Sequence, residues 1–137
     1  TATDSIVNSI TKVITPLGAN SEFLVTARWF GEVPSAHDVL FNIHMDSVRV
    51  NIDGQGRGYG LVMPALSYHL SNDDSTPETV NMSTLVSTSS VVGTAITFSL
   101  VVDAGGSRTL WNNRSFAGAG NEREAGTSEL IITEIGG

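Results

Sequence analysis

Apolar and polar residues alternate in several short runs along the chain, and turn-forming residues interrupt those runs roughly every ten to fifteen positions. This is the pattern of a sandwich or barrel, since alternate residues of a strand point to the same face. In 22–30, Phe23, Val25, Ala27 and Trp29 share one face, with Pro16, Gly18 and Asn20 before the run and Gly31 and Pro34 after it. In 39–48, Phe41, Ile43 and Met45 point inward, and Asn42, His44 and Asp46 point outward. The best-patterned run is 94–102, with Ile96, Phe98, Leu100 and Val102 on one face. Further strands are predicted over 61–70, 80–86, 108–114 and 128–135. No stretch sustains a helical period.

The connections follow from composition. Residues 51–60 carry four glycines and form a turn or flexible loop. Residues 71–79 are a polar loop, 103–107 turn the chain, and 116–126 are a loop rich in glycine and charge. There is no internal repeat, linker or low-complexity boundary, so a single domain spanning 1–137 is expected.

Two of these strands are apolar on both faces. Leu24 and Phe30 oppose the Phe23 and Trp29 face, and Ile131 and Ile135 oppose Leu130 and Ile132. An antiparallel sandwich packs only one face of each sheet on its core, so the second face calls for another cover. A homo-oligomeric interface through Leu24, Phe30, Ile131 and Ile135 supplies one. Loops or bends within a single subunit supply the other.

Composition narrows the chemistry. A chain of 137 residues without cysteine has no disulfide, thiolate ligand or thiol nucleophile, and is long enough for a core without staples. Seven basic against 14 acidic residues, a net charge of −7, oppose binding to nucleic acid. Lys12 is the single lysine, the arginines are scattered, and no apolar run approaches the ~20 residues of a membrane span. No membrane insertion is therefore expected. No signal peptide opens the sequence, and Thr1 fits either removal of an initiator methionine or the cut edge of a longer fibre.

The candidate sites are sparse. His44 and Asp46 lie two apart on a strand face, a spacing that offers two metal ligands, but no third accompanies them and a solvated strand face has the same pattern. His69 near Asp73 and Asp74 has the residue types of a triad without a nucleophile-elbow pattern, in a chain where serines are abundant. Asn72, Asp73 and Asp74 provide loop oxygens but lack the spaced ligands of a calcium loop. Gly54, Gly56, Gly58 and Gly60 share only glycine content with a phosphate-binding loop. The Asn81-Met82-Ser83 and Asn113-Arg114-Ser115 triplets matter as glycan acceptors only in a secreted eukaryotic chain. Arg57, Tyr59, Tyr68 and Trp111 are types that anchor binding sites, and they serve equally in cores and interfaces. Neither a metal nor a cofactor is expected. A glycan-cleaving enzyme needs two carboxylates ~5 to 9 Å apart, and nothing in the sequence pairs two acids.

Three stretches taken together resemble a head domain found at the ends of bacteriophage tail fibres and related appendages. They are Ile14-Thr15-Pro16 followed by Ser21-Glu22-Phe23-Leu24-Val25, then Thr109-Leu110-Trp111-Asn112-Asn113-Arg114-Ser115, and finally 126–135, GTSELIITEI. That family shows "ITP" before "SKILV", then "TLYINRS", and a closing "STLTLMEI", in the same order over almost the whole chain. Residues 85–102 fall where it has a strand, a small-residue loop and another strand. The chain departs from the pattern at Glu22, at Phe98, and at Met45-Asp46-Ser47 in place of an "RDG" turn.

The resemblance implies a jelly-roll-like antiparallel β-sandwich, assembled as a homotrimer in the manner of tumour-necrosis-factor-like heads. It implies a place on the virion surface among other virion proteins, with no catalytic residues. A receptor-binding fibre tip would contact a host glycan or protein through 54–60, 71–79 and 116–126, because loops on a rigid scaffold are the usual place for such contacts. A structural capsid decoration, cement or head-fibre protein is the alternative.

Overall fold

The computed structural model describes residues 5–32, 39–50, 77–89, 92–104, 110–114 and 125–136. They form eight strands: β1 (Ser5–Ile14), β2 (Glu22–Glu32), β3 (Val39–Met45), β4 (Val48–Arg49), β5 (Glu78–Ser87), β6 (Ile96–Ala104), β7 (Trp111–Asn112) and β8 (Glu129–Gly136). Among the described residues there is no helix long and apolar enough to cross a membrane. Among the described residues every strand pairing is antiparallel. Sheet A has the order β1-β6-β3-β4. In sheet B, β2 is central, with β5 along one edge, and β8 and β7 succeeding one another along the other.

The two sheets form a β-sandwich whose core comes from one alternating set on each. Phe23, Val25, Ala27 and Trp29 of β2 and Val80, Met82 and Val86 of β5 meet Phe41 and Ile43 of β3 and Ile96, Phe98, Leu100 and Val102 of β6. Two aromatic contacts cross between the sheets. Phe23 meets Phe98 edge-on at 5.7 Å between centroids, and Trp29 meets Phe41 at 5.0 Å. Such pairs add about 0.5–1.5 kcal/mol each beyond the area they bury.

The runs at 22–30, 80–86, 94–102 and 128–135 correspond to β2, β5, β6 and β8, with ends shifted by about two residues at most. Elsewhere the chain departs from its pattern. β1 has no predicted counterpart, because Ile6, Val7, Ile10, Val13 and Ile14 do not alternate. Its ladder with β6 slips between Ile6 and Thr11, so one period cannot run through it. The run 39–48 is broken at Asp46 and Ser47, whose φ angles of 48° and 69° carry the signature of a two-residue type I′ hairpin. The Asp46 side chain secures that turn, accepting a hydrogen bond from the Thr97 amide at 2.8 Å while its own amide donates to the Thr97 carbonyl.

Several loop boundaries also move. Glu78 and Thr79 belong to β5 and Asp103 and Ala104 to β6, although both pairs read as loop by composition. Of the predicted run 108–114, residues 110–114 are described, and among them Trp111–Asn112 is the strand. The predicted strand 61–70 and the loop 51–60 lie outside the described residues.

Close approach fixes a glycine at the β2–β7 pairing. A side chain at Gly31 would meet the Trp111 carbonyl and the Trp29 indole far inside contact distance, so the β2–β7 pairing requires its absence.

Candidate functional site

The outward faces of the two sheets depart from their expected surroundings in opposite directions. On sheet B the cross-strand pairs are Leu24 with Leu85, Thr26 with Ser83 and Ile131, and Arg28 with Asn81 and Glu129. Leu24 is 38% exposed, Leu85 54%, Ile131 50% and Ile135 56%. Ile135 is the extra residue of a bulge, since Glu134 and Gly136 oppose the consecutive residues Phe23 and Glu22. Polar pairs surround this apolar centre. The Thr26 and Ser83 hydroxyls lie 3.0 Å apart, and Arg28 Nε lies 3.5 Å from the Glu129 carboxylate.

Three of the four predicted interface residues, Leu24, Ile131 and Ile135, therefore share this face and are open to solvent. Phe30 differs. It is half-buried, and Gly126 lies so close over its ring that any side chain there would collide with it. Its backbone is held where β2 changes partner from β8 to β7. The Phe30 amide donates to Ser128 Oγ at 2.9 Å, and its carbonyl accepts from the Asn113 amide at 2.8 Å. Asn113 takes a φ of 64° to do this and accepts a hydrogen bond from the Ser128 amide through Oδ1 at 2.7 Å.

On sheet A the outward residues Asn42, His44, Ser99 and Val101 are all buried. A solvated strand face was one reading of His44, and it does not hold, because this part of the face is closed to solvent by the chain itself. Nor do His44 and Asp46 act together. His44 is buried in β3, whereas Asp46 is exposed in the turn with its carboxylate engaged by Thr97. Thr11, Ser99, His44 and Arg49 form one row across four strands, with the Thr11 and Ser99 hydroxyls 3.3 Å apart. The Asn42 carboxamide, 1% exposed, has no hydrogen-bond partner for its nitrogen or its oxygen. Among the described residues no three His, Cys, Asp or Glu side chains cluster as metal ligands would.

Of the predicted binding residues, Trp111 is half-buried in β7, and the Arg114 guanidinium stacks over its ring at 4.0 Å. That face of the indole is already occupied. Arg57, Tyr59, Tyr68, Asp73 and Asp74 lie outside the described residues, as do His69 and Asn72.

Two features escaped the sequence pattern. One is a cleft of about 330 Å³ between β4 and β5, lined by Met45, Val48, Arg49, Val50, Leu85, Val86 and Ser87. Its sequence signal is Leu85-Val86, adjacent apolar residues that must point to opposite faces of one strand. The other is a clasp at the opposite edge, where β1 approaches β8. There the Glu134 carboxylate accepts from the Leu17 amide at 3.0 and 3.2 Å, from the Gly18 amide at 3.3 Å, and from the buried Ser21 hydroxyl. The Ser21 bond lowers the pKa of this carboxyl. Desolvation opposes that shift, and the Leu17 and Gly18 amides add to it.

Comparison of the chain with protein families and with curated proteins finds no match.

Proposed function

We propose that this chain is a non-catalytic virion surface protein: a jelly-roll-like sandwich that assembles as a homotrimer at a phage fibre tip and attaches to a host glycan or protein. Two independent lines support the reading. The order of the three motifs resembles that of fibre head domains, and the observation that carries the assembly is the bare apolar centre of sheet B. Leu24, Leu85, Ile131 and Ile135 leave on the order of 300 Å² of apolar surface in water, as much as the largest patch of a typical monomer and often the mark of a binding surface.

The test has two steps. Sedimentation of the purified chain at micromolar concentration gives a trimer, and a stable monomer overturns the assembly. Antibody labelling of intact particles then marks the fibre ends. Label confined to the capsid shell would replace receptor attachment with a cementing role.

A further inference from the structure

We propose that β8 accepts an extended segment of another protein as an added strand, one that sets a basic residue beside Glu129 and an aliphatic residue beside Ile131. Which backbone groups of β8 are free follows from β2. In an antiparallel pair both backbone groups of a residue point to the same neighbour, and successive residues alternate between the two sides. The Phe30 amide and carbonyl point to the β8 and β7 side, where Ser128 and Asn113 meet them. Leu24, Thr26 and Arg28 point the same way and pair with Thr133, Ile131 and Glu129. The amides and carbonyls of Leu130 and Ile132 are therefore turned away from β2, to the edge of the sheet.

Among the described residues no strand pairs with that edge. A strand edge with unpaired donors and acceptors is a template for another strand. Both ends of the open stretch are marked. Ser128, the outward residue before Leu130, has its amide bonded to Asn113 Oδ1. Glu134, the one after Ile132, lies at the bulge with its carboxylate held by the turn at Leu17 and Gly18. Residues 129–133 between them suit a short extended peptide, which would bond to the amide and carbonyl of Leu130 and of Ile132.

In such additions the backbone gives affinity and alternate side chains give selectivity. On the outer face the added strand extends two rows, Thr26–Ile131 and Arg28–Glu129. Ile131, 50% exposed, calls for an aliphatic neighbour. Glu129 lies 3.5 Å from Arg28 with 46% of its side chain still exposed, which leaves the carboxylate able to take a second cation from the next strand. A second copy of the chain meets these needs less well. Two copies of β8 paired antiparallel about Ile131 set Glu129 against Thr133 and bring it no base, and a net charge of −7 opposes their approach. The same charge draws a basic segment in. The inference stands apart from the trimer, which uses the face of sheet B and not its edge.

Amide hydrogen exchange reads the edge residue by residue. In the chain alone, the Leu130 and Ile132 amides exchange at least about tenfold faster than those of Ile131 and Thr133, which β2 protects. The probe is the peptide acetyl-Thr-Val-Ile-Val-Lys-amide, which in antiparallel register places its lysine beside Glu129 and its isoleucine beside Ile131. Titrated to ~1 mM, where weak contacts register, it slows exchange at Leu130 and Ile132. Glutamate in place of the peptide lysine weakens binding at least about fivefold, and Glu129→Lys in the chain restores binding of that acidic peptide. Slow exchange at Leu130 and Ile132 before any peptide is added overturns the proposal, because the edge is then already paired. So does a peptide that leaves those two amides unprotected, or one that binds equally well with lysine or glutamate. Protection that rises with chain concentration in the absence of peptide hands the edge to a second copy and overturns the partner proposed. None of these outcomes decides the trimer, which sedimentation tests separately.

Discussion

The outer faces of the two sheets are inverted with respect to their chemistry. Sheet A turns Asn42, His44 and Ser99 outward and buries them, while sheet B turns Leu24, Leu85, Ile131 and Ile135 outward and leaves them exposed. Alternation along a strand decides which way each side chain points, but it does not decide what lies over the face it points to. On sheet A the chain supplies its own cover and accepts buried polar groups there. On sheet B the apolar centre remains in water, and burying it on a partner releases a favourable term of ~25 cal/mol per Å².

The largest expected effect comes from placing the same charge on each face. Val101 is fully buried on the outer side of β6, so Val101→Asp puts an unpaired carboxylate where water cannot reach it. A loss of at least about 3 kcal/mol is expected in chemical denaturation, a large share of a domain's total stability. Ile131→Asp, measured on chain dissociated by dilution, changes stability by no more than about 0.5 kcal/mol, because the charge stays solvated. Equal losses at the two positions would mean that sheet B's outer face is core after all.

A smaller effect of opposite sign is expected at Asn42. Its carboxamide is buried with neither polar atom bonded, and an unsatisfied buried group costs ~1–3 kcal/mol. Asn42→Leu, similar in size and without polar atoms, raises stability by about 1 kcal/mol. A loss of that size would show that the carboxamide finds partners in solution.

Much of the core could be read from the sequence, because β2, β5, β6 and β8 each keep one alternating apolar set facing it. Phe23, Trp29, Phe98 and Leu100 are buried where the alternation places them. β1 could not be read, since its ladder slips and the period with it. The hairpin at Asp46 and Ser47, where the resemblance has a turn, was hidden from the alternation because Asp-Ser lacks the glycine that usually marks such turns. The candidate interface was half legible. Ile131 and Ile135 stand out as apolar residues on the wrong face of β8, but the cleft wall needs Val48 and Leu85, which only the packing of one sheet on the other brings together. Phe30 resembles Leu24 in sequence and differs in fate, because Gly126, 96 positions along the chain, covers it. Nothing local to Phe30 announces that contact.

The smallest expected effect concerns the strand that carries the exposed face. β8 presents Ile131 and Ile135 to solvent, yet at Glu134, on its other side, it is clasped to the turn before β2. A carboxyl whose pKa is lowered on folding stabilises the native state only when ionised. Its contribution is complete above the ordinary glutamate value of about 4.3, declines below it, and is lost as the pH falls through the lowered value. Acid should therefore loosen the end of β8 before it unfolds the sandwich, and the protection factors of the Leu17 and Gly18 amides should fall first. In Glu134→Gln this step disappears from the pH profile, because a neutral amide replaces the titrating group. If instead the acid profile of Glu134→Gln matched the parent, the clasp would have no part in holding β8. The bare face of sheet B would then sit on a strand seated by its ladder with β2 and by Leu130 and Ile132, and its readiness for a partner would not change with pH.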